Sequence, residues 1–289
     1  YIVKLWEELA LPHDVYAYSN PKSSVGRIDL RVTMLADFVS RFDAAGEKGY
    51  KGELWAIIEP KSFRVKIQPG DTLLQLRLFY GDSRFGEEEL ATFFREWNPL
   101  YLDDEAIPQG GLRISDRDGG LIMTVDMRSD FLGWRCEGTE TFLDFSKRGF
   151  YAPEEFFTPI QRPTTKRITL RKGDFYILYT RERLRVPLGF AAEIAPMDVR
   201  SGEYRTHYAG FIDPGFGYGE KGELKGELKG LPIVLEIRPY EDNIVLIDRQ
   251  PICKVIFESV AELPDMVYGA SIGSNYSEQT GPRLRKHFT

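Results

Sequence analysis

The sequence predicts a mostly β protein that contains two tandem copies of one domain. Short apolar runs alternate with polar residues at a period of two, as in "FRVKIQPGDTLLQLRLFYG" (63–81) and "GGLIMTVDM" (119–127). Such runs, cut by Gly, Pro and Asp, are typical of strands. Helical periodicity is scarce, and the chain resembles itself at a nearly constant offset. A length of 289 residues also fits two domains.

One segment has the features of a helix. It is "GEEELATFFREW", residues 86–97, and it carries acidic residues in its first turn. Carboxylates favour the positive end of the helix dipole, and Pro99 lies just beyond the predicted end. We therefore expect a helix here and strands in most of the remaining chain.

The internal repeat rests on two matches in the same order. "YIVKLWEELALP" from Tyr1 matches "YILYTRERLRVP" from Tyr176 at an offset of 175 residues. "IEPKSFRVKIQPGDTLLQLRLF" from Ile58 matches "IRPYEDNIVLIDRQPICKVIFE" from Ile237 at an offset of 179, with the apolar positions in phase. This pattern indicates a duplicated domain; the alternative is a coincidence between generic strands.

The repeat divides the chain into residues 1–105 and 106–289, with the boundary near "NPLYLDDEAIPQGG". The second copy has residues of its own before Tyr176, from roughly Ala106, whereas the first copy has none before Tyr1. We expect the first copy to lack, or not to show, its N-terminal part.

Composition limits the possible partners. A net charge of −6 argues against a nucleic-acid-binding surface over the whole chain, so a polyanionic ligand would need a local basic pocket. No apolar run reaches the roughly 18 residues that span a bilayer, and no signal peptide is visible. Cys136 and Cys253 lie far apart in sequence, which favours a reducing cytoplasm. With only three histidines, a clustered zinc site is not expected.

An unusual carboxylate lies in the apolar run "IVLEIRP", residues 233–239. Glutamate is depleted in strand interiors, although on a solvent-facing side Glu236 would be ordinary. The offset of 179 sets Ile57 against Glu236, which indicates that this strand position faces inward. A buried carboxylate is costly unless it is hydrogen-bonded or functional.

The reverse asymmetry occurs at "SNPKSSVGR", residues 19–27. Lys22, Ser23, Ser24 and Arg27 could present a cation, hydroxyls, backbone N–H groups and a guanidinium to phosphate oxygens, although Ser-rich turns are common. The second copy reads "APMDVRSGEYR" and has no Ser pair; Arg200 replaces Arg27 only if two residues are deleted after Pro187. These complementary losses predict one composite site between two diverged copies.

Three motifs in order resemble the deoxycytidine triphosphate (dCTP) deaminase family, in its long tandem-domain bacterial form, within the dUTPase-like superfamily. KSSxxR at 22–27 resembles the triphosphate loop. "HYAGFIDPGF" (207–216) followed by "IVLE" resembles the pyrimidine hairpin and the catalytic strand. "YGASIGSNYSEQTG" (268–281) resembles the C-terminal tail, in which Tyr268 and Gln279 would close over the nucleotide.

The resemblance implies two dUTPase-like distorted β-barrels, jelly-roll-like, with few short helices. It implies a hydrolase that converts dCTP to dUTP and ammonia without zinc, supplies dUMP and dTTP synthesis, and receives Mg²⁺ with the triphosphate. The expected partners are dCTP, dUTP and dTTP as a feedback inhibitor, in the cytoplasm, with no nucleic acid and no membrane. One chain could complete its own site, or a trimer-like homo-oligomer could be needed, as in single-domain relatives.

The candidate residues follow from these motifs. The expected catalytic residues are Glu236, Ser23, Arg27 and Arg200, with either arginine as the one beside the catalyst. The expected nucleotide-binding residues are Lys22, Ser24, Ala209, Asp213, Val234, Leu235, Tyr268 and Gln279, and no metal ligand is expected. Asp213, which precedes Pro–Gly, could instead serve only to form a turn, and Tyr268 could be a packing aromatic.

The chain departs from the family pattern in three places, the first being that the Ser pair and Glu236 lie in different copies. An insertion, "GYGEKGELKGELKG" (217–230), predicts an exposed loop, and Asn275 stands where simple family members carry a tail Lys. Two other functions remain open: a dUTPase or bifunctional deaminase–dUTPase, and a nucleotide-sensing module with a dead site. Ammonia release from dCTP separates the deaminase from a pure dUTPase and from a binding module.

Overall fold

A computed structural model of the chain describes residues 1–46, 49–198, 200, 204–205, 209–218, 229–266, 268 and 281–289. The elements of the first part are β1 (Ile2–Ala10), β2 (Val15–Pro21), α1 (Ser23–Gly26), β3 (Leu30–Ala36), β4 (Ala44–Ala45), β5 (Lys51–Pro60), β6 (Arg64–Lys66), β7 (Leu74–Tyr80) and α2 (Glu87–Trp97). They are followed by β8 (Leu100–Leu102), β9 (Glu105–Ala106), β10 (Leu121–Thr124), β11 (Phe131–Cys136), β12 (Phe142–Asp144), β13 (Thr158–Gln161), β14 (Arg167–Leu170), β15 (Phe175–Leu184), β16 (Phe190–Ala195), β17 (Tyr204–Arg205), β18 (Phe211–Ile212), β19 (Leu231–Pro239), β20 (Ile244–Ile247) and β21 (Pro251–Ser259). Short 3₁₀ turns cover Gln109–Gly111 and Pro153–Glu155. The predicted mostly β class is confirmed.

The strands form two sets of antiparallel sheets, one in each half of the chain. In the first half the strand orders are β1-β5-β3 and β4-β2-β7. In the second half they are β13-β11-β15-β19-β17, with β8 on β15, and β10-β21-β16-β18. Strands β14 and β20 pair separately.

The internal repeat reappears in the strand registers. In the first half Ile2 lies opposite Ile57, across β1 and β5. In the second half Ile177 lies opposite Glu236, across β15 and β19. The offset of 175 takes Ile2 to Ile177, and the offset of 179 takes Ile57 to Glu236. The same holds for Ala17 opposite Leu78 in β2 and β7, and for Ala192 opposite Phe257 in β16 and β21.

Helix α2 begins after Gly86, whose backbone N–H donates to Glu89 Oε2 at 2.8 Å, and ends at Asn98 in the left-handed conformation. Its apolar face packs into the core of the second half; its buried members are Leu90, Phe93 and Phe94. The helix therefore lies before the predicted boundary at 105/106 in sequence but packs in the core of the second half. The boundary itself stays a prediction.

A second core is shared by both halves. Val25, Ile28 and Ile58 from the first half pack with Phe156 and Phe157 from the second. Phe156 and Phe157 therefore serve as packing residues between the two halves. Strand β12 also pairs in parallel with β6, so that the two halves share a ladder.

Among the described residues, no helix is both long and apolar enough to cross a membrane. Most of the predicted insertion loop lies outside the described residues, as do His207, Asn275 and Gln279.

Candidate active site

A cavity opens where the two repeats meet. The first repeat contributes Ser23 from α1 and Gln75 from β7. The second contributes Ile194, Ala209, Phe211, Ile212, Asp213, Phe216, Ile233, Val234, Glu236 and Tyr268. Six of the residues predicted from sequence are among them: Ser23, Ala209, Asp213, Val234, Glu236 and Tyr268.

Glu236 lies in β19, which pairs with β15 on one side and, at its end, with β17 on the other. Its side chain is 2% exposed, as the inward-facing prediction requires. Alternation along the strand sends Leu235 into the core of the second half instead, so Leu235 does not line the cavity. The inference from Ile57 holds less well, because that residue is only half-buried.

The backbone of the first repeat lies against this carboxyl group. A Cβ placed on Gly26 would stand 3.0 Å from Cδ of Glu236 and 3.1 Å from Oε2. Residues 23–26 form one helical turn rather than an irregular loop, because Val25 N–H and Gly26 N–H both donate to Lys22 O. The Ser-rich turn and Glu236 are therefore brought together within one chain, and the composite site stays a prediction.

The other residues of the Ser-rich motif do not line this cavity. Lys22 Nζ donates to Thr72 Oγ1 at 3.3 Å, and Ser24 is half-buried outside the cavity lining. Arg27 is 3% exposed, and its Nη1 donates to the carbonyl of Arg283 at 2.6 Å. The motif thus joins the cavity to the C-terminal segment of the chain.

Arg200, the alternative catalytic arginine, is exposed on the surface. Its Nε lies 2.9 Å from Asp198 Oδ1, and the second oxygen of Asp198 lies 2.6 Å from Arg117 Nη1. Arg200 does not line the cavity, whereas Arg27 directly follows Gly26. Between the two candidates, only Arg27 adjoins a residue in contact with Glu236.

An ion pair between the repeats anchors α1 to β19, the strand that carries Glu236. Asp29, three residues after Gly26, is fully buried and bonds Arg238, which shares a face of β19 with Glu236. Ser62 donates to Asp29 Oδ2 at 2.5 Å and accepts from Arg238 Nη2 at 2.8 Å. This cluster holds the helical turn against the carboxylate.

The hairpin of residues 209–216 contributes five of the lining residues. Gly210 N–H donates to Asn20 Oδ1 of the first repeat at 3.0 Å, and Phe216 N–H closes a turn on Asp213 O at 3.1 Å. The turn uses the Asp213 backbone, while its carboxylate Oδ1 lies 3.1 Å from Arg77 Nη2. The backbone carbonyl of Asp213 therefore closes the turn, while its carboxylate pairs with Arg77.

Tyr268 also lines the cavity. Its ring packs on Phe216 with centroids 5.3 Å apart, and its N–H donates to Pro214 O at 3.2 Å. Its predicted partner Gln279 lies outside the described residues.

Two acidic side chains behind the hairpin have perturbed ionisation. Burial raises the pKa of Glu258, and the nearby charge of Arg77 opposes that rise. Burial also raises the pKa of Glu193, with Arg77 again opposing. The guanidinium of Arg77 thus interacts electrostatically with several carboxylates at the junction of the repeats.

The sequence matches two family models, both of one family. Residues 1–82 match the "2'-deoxycytidine 5'-triphosphate deaminase (DCD) N-terminal domain", and residues 102–288 match the "C-terminal domain". This chain belongs to the dCTP deaminase family. The resemblance inferred from the three motifs is confirmed.

Curated dCTP deaminases share recognisable identity with this chain. "dCTP deaminase, dUMP-forming" from Halobacterium salinarum is 31% identical over 122 residues, which are 40% of this chain and 55% of that protein. The protein of the same description from Dictyoglomus turgidum is 27% identical over 170 residues, 56% of this chain and 78% of that one. The chain therefore spans about half the length of the Halobacterium relative that it matches.

A solved structure shares the fold. The crystal structure of 2'-deoxycytidine 5'-triphosphate deaminase from Agrobacterium tumefaciens superposes with a TM-score of 0.79 at 30% identity. The match covers 92% of this chain and 75% of that chain. The predicted dUTPase-like fold class is confirmed.

Sequence reasoning missed part of the candidate site. Phe211, Ile212 and Phe216 lie inside the hairpin motif, so the motif itself was the signal that could have assigned them. Gln75 and Arg77 carry a weaker signal, which is that the offset of 179 sets them against Lys254 and Ile256. Differences between the copies therefore mark these positions as well as Glu236.

Residues suited to metal binding do not converge in the described part of this deaminase-family chain. No group of three or more His, Cys, Asp or Glu residues there could hold a metal ion. Cys136 lies in the shared core and Cys253 in the core of the second half, and His287 bonds the carbonyl of Phe145 at 2.8 Å.

Proposed function

We propose that this chain hydrolyses the exocyclic amine of dCTP, producing dUTP and ammonia in the cytoplasm and thereby supplying dUMP and dTTP synthesis. One observation carries the proposal. The carboxyl group of Glu236 is buried at the junction of the repeats, beside the helical turn of the Ser-rich motif and in the wall of a cavity. Family membership supports this chemistry, and the names of the relatives support the substrate.

The proposed reaction needs a proton relay. Water attacks C4 of the cytosine ring, and Glu236 takes a proton from that water. The same carboxyl group delivers that proton to the ring nitrogen N3. The second proton of the attacking water, now on the C4 hydroxyl, then passes through the carboxyl group to the amine, and the C4–N bond breaks to release ammonia as the C4 carbonyl forms. A positioned general acid–base contributes roughly 10²–10⁴ in rate, and orientation by the cavity supplies more.

The remaining residues orient the reactants. Ser23 lines the cavity from the first repeat, where its hydroxyl would orient the water together with the backbone carbonyl of Ala209. Arg27 follows Gly26 and would hold positive charge near Glu236 and the phosphates, while Tyr268 would cover the base. Lys22 and Ser24 would bind phosphate oxygens. Donors that stabilise developing charge act strongly in such a site.

We propose that the reaction uses no zinc and that Mg²⁺ enters as part of the nucleotide substrate. Zinc deaminases activate water with a His/Cys₂ or Cys₃ site. Both cysteines of this chain are buried in separate cores, which supports a relay through Glu236 alone.

A second candidate is a bifunctional enzyme that proceeds to dUMP. The relatives are named dUMP-forming, and Asp213 lies on the hairpin wall, where it could hold a water for attack on the α-phosphate. Regulation by dTTP and assembly as a trimer-like homo-oligomer remain proposals that rest on the family resemblance.

The deciding experiment measures ammonia and nucleotide products from dCTP. The proposal expects ammonia in amounts equal to the dCTP consumed, with activity retained after treatment with a zinc-selective chelator that leaves Mg²⁺ in place. Appearance of dUMP and pyrophosphate together with ammonia would establish the second candidate. Tight nucleotide binding without ammonia would leave a dUTPase or a binding module and overturn the deaminase.

A further inference from the structure

Arg77 reaches from the first repeat into the hairpin of the second. It lies in β7, opposite Tyr18 of β2, and its side chain is 16% exposed. The guanidinium carbon stands 4.2 Å from the centre of the Phe211 ring, within the range of a cation–π contact. An arginine from one repeat is therefore enclosed by strands of the other.

The guanidinium bonds three strands and the hairpin turn at once. Nη1 donates to Ala192 O at 3.0 Å and to Glu258 Oε2 at 3.3 Å, and Nη2 donates to Ile212 O at 2.8 Å and to Asp213 Oδ1 at 3.1 Å. A planar fork of donors suits such a set, whereas the point charge of lysine does not.

Strand β18, which leads to Asp213, has little support from its own sheet. It is two residues long, and its ladder with β16 consists of Ala192 opposite Ile212 and Glu193 opposite Phe211. Arg77 adds a bond to the backbone of Ile212 and another to the carboxylate of Asp213. The cation therefore restrains both the strand and the side chain that follows it.

The two oxygens of Asp213 differ. Oδ1 accepts from Arg77, and Oδ2 accepts no hydrogen bond within the described part of the chain. The carboxylate is 43% exposed and lines the cavity, so its second oxygen is available to a ligand there. A carboxylate held by one oxygen presents the other in a defined direction.

The arginine is not a requirement of the repeat itself. The offset of 179 places Ile256 at the corresponding position of the second repeat, in a strand that pairs in the same register. An apolar residue thus suffices for folding there, and the cation occurs where its hydrogen bonds reach across the junction.

We propose that Arg77 is a positioning residue that fixes the Asp213 carboxylate to accept the 3′-hydroxyl of a 2′-deoxynucleoside triphosphate. This rests on the proposed function, which supplies the substrate class. The sugar of such a nucleotide has one free hydroxyl, at the 3′ position, and a carboxylate in the cavity wall is a strong acceptor for it. Arg77 acts through Asp213 without touching the nucleotide.

The test compares dCTP with 2′,3′-dideoxy-CTP, which lacks that hydroxyl. Dissociation constants are measured by calorimetry in the Glu236→Gln background, and kcat/KM is measured in otherwise wild-type protein. A lost hydrogen bond to a charged group should weaken the parent's binding of the dideoxy nucleotide by roughly ten- to a hundredfold. In Arg77→Lys and Arg77→Gln, the ratio of the dissociation constant of the dideoxy nucleotide to that of dCTP should shrink to about threefold or less.

Asp213→Asn should reduce the ratio similarly, and the double variant Arg77→Lys with Asp213→Asn should add little. The matched control is Arg64→Lys, because Arg64 is an exposed arginine paired with Glu140 away from the cavity. It should retain the full ratio. An equal loss of affinity for both nucleotides in the Arg77 variants would indicate a merely structural role and overturn the proposal.

The two proposals fail in different ways. Wild-type protein that releases no ammonia, yet shows the coupled loss of discrimination in binding, overturns the deaminase and leaves the positioning role intact. Ammonia release with an unchanged ratio in Arg77→Lys overturns the positioning role alone. If neither Arg77 variant unfolds in a cooperative transition, the residue is structural and the proposal is withdrawn.

Discussion

Gly26 of the first repeat lies directly against the carboxyl group of Glu236 of the second. A Cβ on Gly26 would stand 3.0 Å from Cδ and 3.3 Å from Oε1 of that carboxyl group. Interiors are close-packed, so even one added methyl group must displace its neighbour. The contact makes the size of residue 26 a direct probe of the site.

Enlarging residue 26 should therefore lower turnover in proportion to side-chain volume. We expect Gly26→Ala to shift the carboxyl group by a few tenths of an ångström and to reduce kcat about tenfold, with a larger loss in Gly26→Val, since overpacking costs about 1–3 kcal/mol. Gly189→Ala is the control, because a Cβ there meets no atom within 4 Å. Normal kcat in Gly26→Val would show that Glu236 does not act from this position.

Glu236→Gln should abolish turnover and preserve folding. The amide keeps the shape of the carboxyl group but cannot relay protons, so kcat should fall at least roughly 10²-fold while nucleotide binding persists. The measurements are ammonia release, thermal unfolding and calorimetric binding. Glu53→Gln, in half-buried surroundings on β5, is the control. A variant retaining more than a few per cent of wild-type kcat would rule out Glu236 as the catalyst.

Breaking the Asp29–Arg238 pair should cost both stability and activity. Asp29→Leu or Arg238→Met alone leaves a charge buried without its ion-pair partner. Each should lower the free energy of unfolding, measured in urea, by about 3–5 kcal/mol. The double variant should recover much of that stability, because two apolar groups need no compensation. Its kcat should stay low, since α1 is no longer held against Glu236. Full recovery of kcat together with stability would show that the pair has no positioning role.

Glu258 should make stability depend on pH. Burial raises its pKa in the folded state, so the folded chain holds this proton more tightly than the unfolded chain. The contribution is therefore complete below the unfolded pKa, near 4.5, and is lost as the pH rises through the higher folded pKa. Urea unfolding at several pH values should show a smaller decline above pH 4.5 in Glu258→Gln. Identical declines in both proteins would contradict this origin.

The local motifs of the sequence predicted the parts of the site that adjoin in the chain. Ten residues or fewer are enough to recognise the strand of Glu236, the hairpin and the turn at Ser23 from their sequence patterns. Comparison of the copies added that Glu236 and the Ser-rich motif belong to one site, because each is missing from the other copy. The helix was predictable from its acidic first turn.

The rest depends on contacts between residues far apart in sequence. Arg27 meets the carbonyl of Arg283 across 256 positions, and Arg238 meets Asp29 across 209. Periodicity describes which face of a strand is buried, but it does not specify which partner covers that face. Arg77 was overlooked for the same reason, since an arginine in a half-exposed strand is ordinary until its neighbours are known.

The core shared by both repeats, together with the parallel pair of β6 and β12, ties the two copies into one thermodynamic unit. Neither copy can unfold without exposing apolar surface on the other, so denaturation should proceed in a single transition, with calorimetric and van't Hoff enthalpies in agreement. Duplication usually leaves a module that can be lost or exchanged. Here the copies are not independent: excising either one would expose the shared core of the survivor to water and remove part of the lining of the cavity between them.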